Sequence, residues 1–145
     1  MDQVKQQVWI AIGLVDQYGD ILRRYDEAFL EQNEAECHVL RGEVERVYPS
    51  IWEHLDGAAK LTAGSGRAID AYAQIRAHPE LVTTNALASV DPHTLRQNQE
   101  GIDLARAAAR ALQHAWPELD WTPPATPDVD LRGGFFGRLL RKILR

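Results

Sequence analysis

Histidine, cysteine and acidic side chains are the residues of this chain that could bind a metal ion. A di-metal site in a helical bundle uses Glu-x-x-His pairs, because that spacing puts both ligands on one face of a helix. None of the five histidines follows a glutamate by three positions, and the pattern His-x-x-x-His does not occur. Glu34 and His38 lie one turn apart, but such pairs are usually surface salt bridges or hydrogen bonds. The sequence therefore predicts no metal site and no cofactor.

Covalent or phosphate chemistry has no better support. Cys37 and His38 are adjacent, and adjacent helical residues point about 100° apart, which separates a nucleophile from its base. The segment GSGR (64–67) lacks the lysine and the spacing of a phosphate-binding loop and is typical of a turn. We therefore predict no catalytic residue, no small-molecule substrate and no enzymatic activity. A small all-α enzyme stays open as an alternative, with a pocket that includes Glu34, His38 or His54.

Length and composition indicate one globular domain. The 145 residues are enough for a buried core, and the 45% hydrophobic content is ordinary for a folded protein. The N-terminal segment has no basic region followed by an unbroken apolar run, so we predict no signal peptide. No stretch approaches the roughly 18 consecutive apolar residues of a membrane-spanning helix. Because Cys37 is the only cysteine, an internal disulfide is excluded, and we expect a cytoplasmic protein.

Residues 2–31 carry apolar side chains at helical spacing, in steps of three and four. These positions are Val4, Val8, Ala11, Val15, Tyr18, Leu22, Tyr25 and Phe29. With Leu14, Ile21 and Leu30 the apolar face covers more than half of the helix, so neighbours must lie on two sides. The helix is central to a bundle, or it also forms a homodimer interface. Trp9 lies away from this face, where it makes a shallow contact or belongs to a contact patch for a partner.

Three further helical stretches follow, and no alternation typical of strands occurs. The second helix spans about 34–61, and Pro49 inside it predicts a kink or a break. Gly64 is expected to end this region as a C-terminal cap. A short third helix falls within 68–77, and a fourth begins with Pro92 at its first helical position. The predicted fold is an all-α bundle of about four helices with a long first helix.

The chain divides into three parts by composition. Residues 1–116 are the helical bundle domain, and residues 117–132 are a proline-rich acidic linker expected to be semi-extended. Residues 133–145, GGFFGRLLRKILR, are predicted to form a basic amphipathic helix, called the tail below. The tail holds four of the 16 basic residues and none of the 21 acids, so the rest of the chain has a formal charge of −9. An acidic body argues against nucleic acid as a partner, because neutralisation of phosphates supplies most of that affinity.

The tail separates into two faces when it is placed on a helix. The apolar face holds Phe135, Phe136, Leu139, Leu140, Ile143 and Leu144, and the basic face holds Arg138, Arg141, Lys142 and Arg145. Thirteen helical residues reach only about 20 Å, too short to cross a bilayer of roughly 30 Å but suited to lying on its surface.

Three interpretations of the tail follow from its pattern. It attaches the protein to an anionic membrane, it docks as a recognition or targeting peptide into a groove on another protein, or it packs on its own domain. Attachment to an anionic membrane is the favoured interpretation. It makes the protein a non-enzymatic adaptor or scaffold, whose body binds a protein partner or itself and whose tail holds it on the inner face of a membrane.

Overall fold

Four α-helices make up most of the described chain. The structure is a computed structural model that describes residues 2–78 and 92–122, with side chains for 3–78 and 98–122. The helices are α1 (Asp2–Leu30), α2 (Glu34–Gly64), α3 (Asp70–Arg76) and α4 (Pro92–Ala115). No strand occurs in the described ranges. The prediction of an all-α bundle with a long first helix is confirmed, whereas the tail lies outside the described residues.

A three-residue turn joins α1 to α2. The backbone N–H of Asn33 donates to the Ala28 carbonyl at 2.9 Å. The N–H of Gln32 donates to the Phe29 carbonyl at 3.1 Å, and this pair of bonds closes α1. Asn33 also begins α2, because its side-chain oxygen accepts a hydrogen bond from the backbone N–H of Glu36 at 3.1 Å. Asn33 therefore separates two antiparallel helices that form a hairpin.

Gln32 adopts the left-handed conformation in this turn, with φ of 58°. A side chain with a Cβ costs roughly 1–2 kcal/mol in that region, and glycine avoids this cost but loses roughly 0.5–1 kcal/mol of chain entropy on folding. Gln32→Gly should therefore raise the free energy of unfolding by about 0.5–1 kcal/mol, measured by urea denaturation. Gln32→Ala keeps the Cβ and should give no gain. Equal effects of the two substitutions would contradict strain at this position.

The apolar face of α1 is buried along most of the helix. The buried positions include Val4, Val8, Ala11, Leu14, Val15, Tyr18, Ile21, Leu22 and Tyr25. The two apolar residues of the last turn differ, since Phe29 is 46% exposed and Leu30 is 78% exposed. They occupy the end of the helix, where the chain reverses direction. The prediction that they belong to the buried face was wrong at these two positions.

Helix α4 packs beside the hairpin, antiparallel to α1. The Arg106 guanidinium lies 3.3 Å from the Asp16 carboxylate, and Ile102 is buried with the core. Buried Ala105, Ala108 and Ala109 let this helix approach its neighbours closely. Helix α1 thus has α2 on one side and α4 on the other, which explains its wide apolar face within a single chain. The homodimer through α1 stays a prediction.

Helix α2 continues through Pro49 without a break. Proline removes one helical hydrogen bond and crowds the preceding turn, at a cost of about 3 kcal/mol. Buried residues on both sides of it, among them Val47, Tyr48, Ile51 and Trp52, offset that cost by packing on α1 and the other helices. Of the kink or break predicted at Pro49, the break was therefore wrong, and the kink stays a prediction.

Helix α3 is held on α2 by a polar cluster around Asp56. The Tyr72 hydroxyl donates to the Asp56 carboxylate, and the Arg76 guanidinium donates to its two oxygens at 3.1 and 3.2 Å. The same guanidinium stacks 5.0 Å from the centre of the Trp52 ring. Burial, with the hydrogen bond to Asp56, raises the pKa of Tyr72, so its hydroxyl stays protonated as the donor. These contacts fix a seven-residue helix that is too short to be stable alone.

Candidate functional site

The turn between α1 and α2 borders a groove of about 830 Å³, called the hairpin-tip groove below. Its lining residues are Tyr25, Phe29, Leu30, Gln32, Glu34, Cys37, His38 and Arg41. The C-terminal turn of α1 supplies Phe29 and Leu30, the two exposed apolar residues described above. The Phe29 ring lies 6.3 Å from that of Tyr25, and Arg41 donates to the Tyr25 hydroxyl at 3.0 Å. The groove therefore combines exposed apolar side chains with a polar wall on α2.

The surface around the groove is acidic. Residues 26–40 hold five acids and neither lysine nor arginine. Glu27 pairs with Arg23, and Glu36 pairs with Arg24, whereas Glu31 and Glu34 make no ion pair with a described side chain. Burial raises the pKa of the Asp26 carboxyl on the same turn of α1 as Glu27. This end of the hairpin thus presents unpaired negative charge beside Phe29 and Leu30.

Glu34 and His38, which lie one helical turn apart and could share a metal ion, both line this groove together with Cys37. In the described part of the chain no group of three or more His, Cys, Asp or Glu side chains is arranged to hold a metal ion. The other residues singled out for chemistry lie elsewhere. His54 is on the central part of α2, and the GSGR segment forms the end of α2 and the turn after it.

A second cleft, of about 420 Å³, lies between α1 and α4 and is lined in part by Leu22, Asp26, Asn98 and Ile102. Asn98 is almost fully buried, and its Oδ1 has no hydrogen-bond partner among the residues that the structure describes. Because that oxygen is shielded from the cleft as well as from solvent, it offers no acceptor to a ligand in the cleft.

The opposite end of the bundle is closed by the contacts of Arg67. Gly66 has φ of 79°, and the N–H groups of Gly66 and Arg67 donate to the carbonyls of Ala63 and Thr62. This pattern ends α2 with Gly66 as the left-handed residue, where Gly64 was expected. It directs the Arg67 guanidinium over the Trp116 ring, 3.8 Å from its centre.

Arg67 joins the ends of α2 and α4 through three kinds of interaction. Besides stacking on Trp116, its guanidinium donates to the Ala115 carbonyl at 2.8 Å and pairs with Glu118. The hydrogen bond from Arg67 lowers the pKa of Glu118, which keeps that carboxylate ionised. A cation on the final carbonyls of α4 also opposes the negative end of the helix dipole. Thr62, Arg67, Trp116, Glu118 and Trp121 are called the C-terminal latch below.

The latch extends into the beginning of the predicted linker. The buried Trp116 indole donates to Thr62 Oγ1 at 2.9 Å, and the Trp121 indole donates to the Trp116 carbonyl at 3.1 Å. Leu119 and Trp121 pack against the core. The chain up to Thr122 therefore follows the bundle surface. The boundary at residue 116 stays a prediction, and residues 123–132 lie outside the described residues.

Asp120, which lies between the latch residues Glu118 and Trp121 in the sequence, is close to Lys5 near the N-terminal end of α1. The hydrogen bond from Thr122 lowers the pKa of Asp120, and the nearby Lys5 ammonium adds to that effect. From Lys5 to Phe29 the helix rises by about 36 Å, at roughly 1.5 Å per residue. The C-terminal latch and the hairpin-tip groove therefore lie at opposite ends of the bundle.

Of the residues predicted from sequence to contact a membrane or a protein partner, Trp9 is the one that lies within the described part of the chain. It is partly buried, and the Lys5 ammonium lies 5.0 Å from the centre of its ring. Its indole nitrogen is shielded from solvent and lacks a hydrogen-bond partner in the described part of the chain. Nothing in its surroundings assigns it to a contact patch, so that role stays a prediction. The other ten candidates, the apolar and basic residues from Phe135 to Arg145, lie outside the described residues.

His54 gives the bundle a predicted pH dependence. It is half-buried on α2, with Nδ1 2.5 Å from the Gln7 side-chain oxygen, and burial lowers its pKa while Glu53 opposes that shift. The unfolded chain therefore binds a proton more readily than the folded chain. Stability from this source is complete above the ordinary pKa of about 6.5 and is lost as the pH falls through the lower folded value.

The change that checks this prediction is His54→Gln. Urea denaturation at pH 7.5 and pH 5.5 should show a smaller loss of stability on acidification in His54→Gln than in the native chain. The matched control is His114→Gln, which removes an exposed imidazole from α4. An equal loss in His54→Gln and the native chain would contradict the role of His54.

Comparison with protein-family models, with curated proteins and with solved structures gave no match for this chain. The fold defines it as an all-α helical bundle protein. Among residues 2–78 and 92–122, none of the helices combines the length and the apolar character needed to cross a bilayer.

Proposed function

We propose that the protein is a non-enzymatic adaptor whose tail attaches it to an anionic membrane surface and whose helical body binds a protein partner. The observation that carries this proposal is the composition of residues 133–145, with six large apolar and four basic side chains and no acid. That pattern is typical of helices that lie in the membrane interface, with apolar side chains inserted and cations at the headgroups.

Rough magnitudes support a reversible attachment. Each of the four basic residues contributes about 1 kcal/mol near an anionic surface. Each large apolar side chain contributes up to roughly 1.5–3 kcal/mol if fully buried. Partial burial and the cost of ordering the peptide offset much of that gain. A small net free energy of binding makes the attachment reversible and dependent on anionic lipid and on ionic strength.

The net negative charge of residues 1–132 favours a spacer that keeps the bundle away from an anionic membrane. Residues 1–132 have nine more acids than basic residues, so an anionic surface repels them. That repulsion is screened beyond a distance of about 8–10 Å at physiological ionic strength. The last described residue, Thr122, follows the C-terminal latch, and ten residues (123–132) separate it from the tail. A spacer of this length lets the tail bind while the body stays beyond the screening distance.

Co-sedimentation with lipid vesicles tests the proposal. The full chain should bind vesicles that contain phosphatidylserine and should not bind vesicles of phosphatidylcholine alone. A chain that ends at Arg132 should bind neither. Raising the salt concentration should release the full chain, because four cations contribute to the affinity.

Two outcomes would overturn the membrane role. Failure of the full chain to bind either vesicle would remove it. If the chain that ends at Arg132 binds as strongly as the full chain, the tail is not the segment that binds the membrane. The second function that the tail pattern allows is that of a recognition peptide, and it predicts capture of one specific protein by the immobilised full chain without lipid.

A further inference from the structure

We propose that the hairpin-tip groove is the docking surface for the chain's own tail, residues 133–145, in the absence of a membrane. The docking itself follows from the groove and the tail, and only its effect on membrane attachment rests on the proposed function. The tail would be held on the body until an anionic surface competes for it.

The groove supplies apolar surface that no other described residue covers. Phe29 is 46% exposed and Leu30 is 78% exposed, and both line the groove. Exposed apolar side chains grouped beside a concave surface offer a place where an apolar segment can pack. The tail carries six large apolar residues on one predicted face, and a helix with such a face is suited to a groove of this kind.

Charge complementarity favours the tail over a second copy of the bundle. Residues 26–40 supply six of the eight residues that line the groove and hold five acids and no lysine or arginine, whereas the tail holds four cations and no acid. Glu31 and Glu34 make no ion pair with a described side chain, so they are available to the tail. Arg41 is the lining residue of like charge, and its hydrogen bond to the neutral Tyr25 hydroxyl leaves that charge in place, so Glu31 and Glu34 exceed it by one negative charge. Two such acidic tips facing each other would repel.

The length of the linker permits docking within one chain. The last described residue, Thr122, follows the C-terminal latch, about 36 Å along α1 from the groove at roughly 1.5 Å per residue. Thirteen residues lead from Thr122 to Phe135. At about 3.1 Å per residue in the extended conformation of proline-rich segments, they span about 40 Å. The tether therefore reaches the groove when it is nearly extended.

A tether that reaches the groove also favours the intramolecular complex. The effective concentration of a linked segment is of millimolar order for short flexible linkers, and it is lower for a linker that must be nearly extended to join the two sites. At micromolar protein concentration we expect the tail of the same chain to be favoured over the tail of another.

Docking and membrane attachment use the same apolar face of the tail, so they exclude each other. Weakening the groove should therefore strengthen membrane binding. Leu30→Lys removes an apolar contact and adds a charge that repels the tail. The matched control is Val39→Lys, because Val39 is 53% exposed, lies outside the groove and undergoes the same change of charge.

The first experiment measures the alkylation rate of Cys37 in the full chain with iodoacetamide, which is neutral. Cys37 lines the groove and is the only cysteine, so its rate reports on occupancy of the groove. The rate should rise several-fold in Phe136→Asp/Leu140→Asp and on addition of phosphatidylserine vesicles to the full chain. It should rise equally in a chain lacking residues 123–128, because seven residues then span only about 22 Å. Rates measured in urea should be equal for all chains, which controls for reactivity of the thiol.

Equal native rates in the full chain, the tail variant and the shortened chain would overturn the proposal. A rate in the full chain that falls as its concentration rises would also overturn it, since the occupant would then be a second copy. The second experiment compares vesicle binding, where Leu30→Lys should bind several-fold more tightly than Val39→Lys. Equal binding would overturn the competition. If Cys37 is protected but neither the full chain nor Leu30→Lys binds vesicles, docking stands and the membrane function fails, so the two proposals are separable.

Discussion

Trp116→Ala will lower the free energy of unfolding by about 3–5 kcal/mol, the largest effect expected of any single latch substitution. The Trp116 side chain is only 3% exposed, so its removal leaves a cavity between the ends of α2 and α4. The hydrogen bond from its indole to Thr62 is lost as well, and the Arg67 guanidinium loses the ring on which it stacks at 3.8 Å. A typical small domain has only about 5–15 kcal/mol of stability, so the variant should be close to unfolding.

Urea denaturation followed by circular dichroism measures this loss. One further substitution tests the contribution of the indole hydrogen bond, and a second, at an exposed position, serves as the control. Thr62→Val leaves the buried indole N–H without an acceptor and should cost about 1–3 kcal/mol. Arg110 is exposed on the same helix, and Arg110→Ala should change stability by less than about 0.5 kcal/mol. A loss below about 1 kcal/mol in Trp116→Ala would contradict a latch that holds the two helix ends together.

The sequence predicted the parts of the fold that depend on local periodicity. Apolar residues recur along α1 at helical spacing, and burial follows that spacing from Val4 to Tyr25. The pattern could not indicate that Phe29 and Leu30 are exposed, because exposure there depends on where the chain reverses rather than on the spacing. It also could not decide between a kink and a break at Pro49, and the break does not occur because the cost of one proline is offset by tertiary packing on both sides of it.

The contacts that define the two ends of the bundle could not be found from sequence. Arg67 and Trp116 are 49 positions apart, and only the packing of α4 beside α2 brings them together. The GSGR segment was correctly assigned to a turn, but the left-handed conformation at Gly66 sets the direction of Arg67. Trp121 lies in a proline-rich segment without periodicity, so nothing local marks it as packed against the core. The hairpin-tip groove combines Tyr25 of α1 with Arg41 of α2, which again requires the hairpin.

The double substitution Phe136→Asp/Leu140→Asp will abolish binding of the full chain to anionic vesicles and leave its melting temperature unchanged. Two large apolar side chains are lost from the face predicted to enter the membrane, at about 1 kcal/mol or more each for partial burial. Two negative charges are added near an anionic surface, at about 1 kcal/mol each. The sum of about 4 kcal/mol corresponds to roughly a thousandfold in Kd, which removes binding from the measurable range of co-sedimentation.

The matched control places the same charges on the body. Val39 and Leu61 are apolar residues of α2 that are 53% and 37% exposed, so Val39→Asp/Leu61→Asp repeats the change in composition and net charge away from the tail. It should retain most of the vesicle binding, because the body stays beyond the screening distance.

The melting temperature distinguishes a tail that packs in the core of its own domain from a tail that acts outside the core. If the tail were an integral part of the bundle core, two aspartates at Phe136 and Leu140 would bury unpaired charge and lower the melting temperature by many degrees. Reversible docking in the hairpin-tip groove predicts no such fall, since the described core is formed by buried residues of the bundle itself. Loss of vesicle binding with an unchanged melting temperature therefore fits only a tail that acts outside the core.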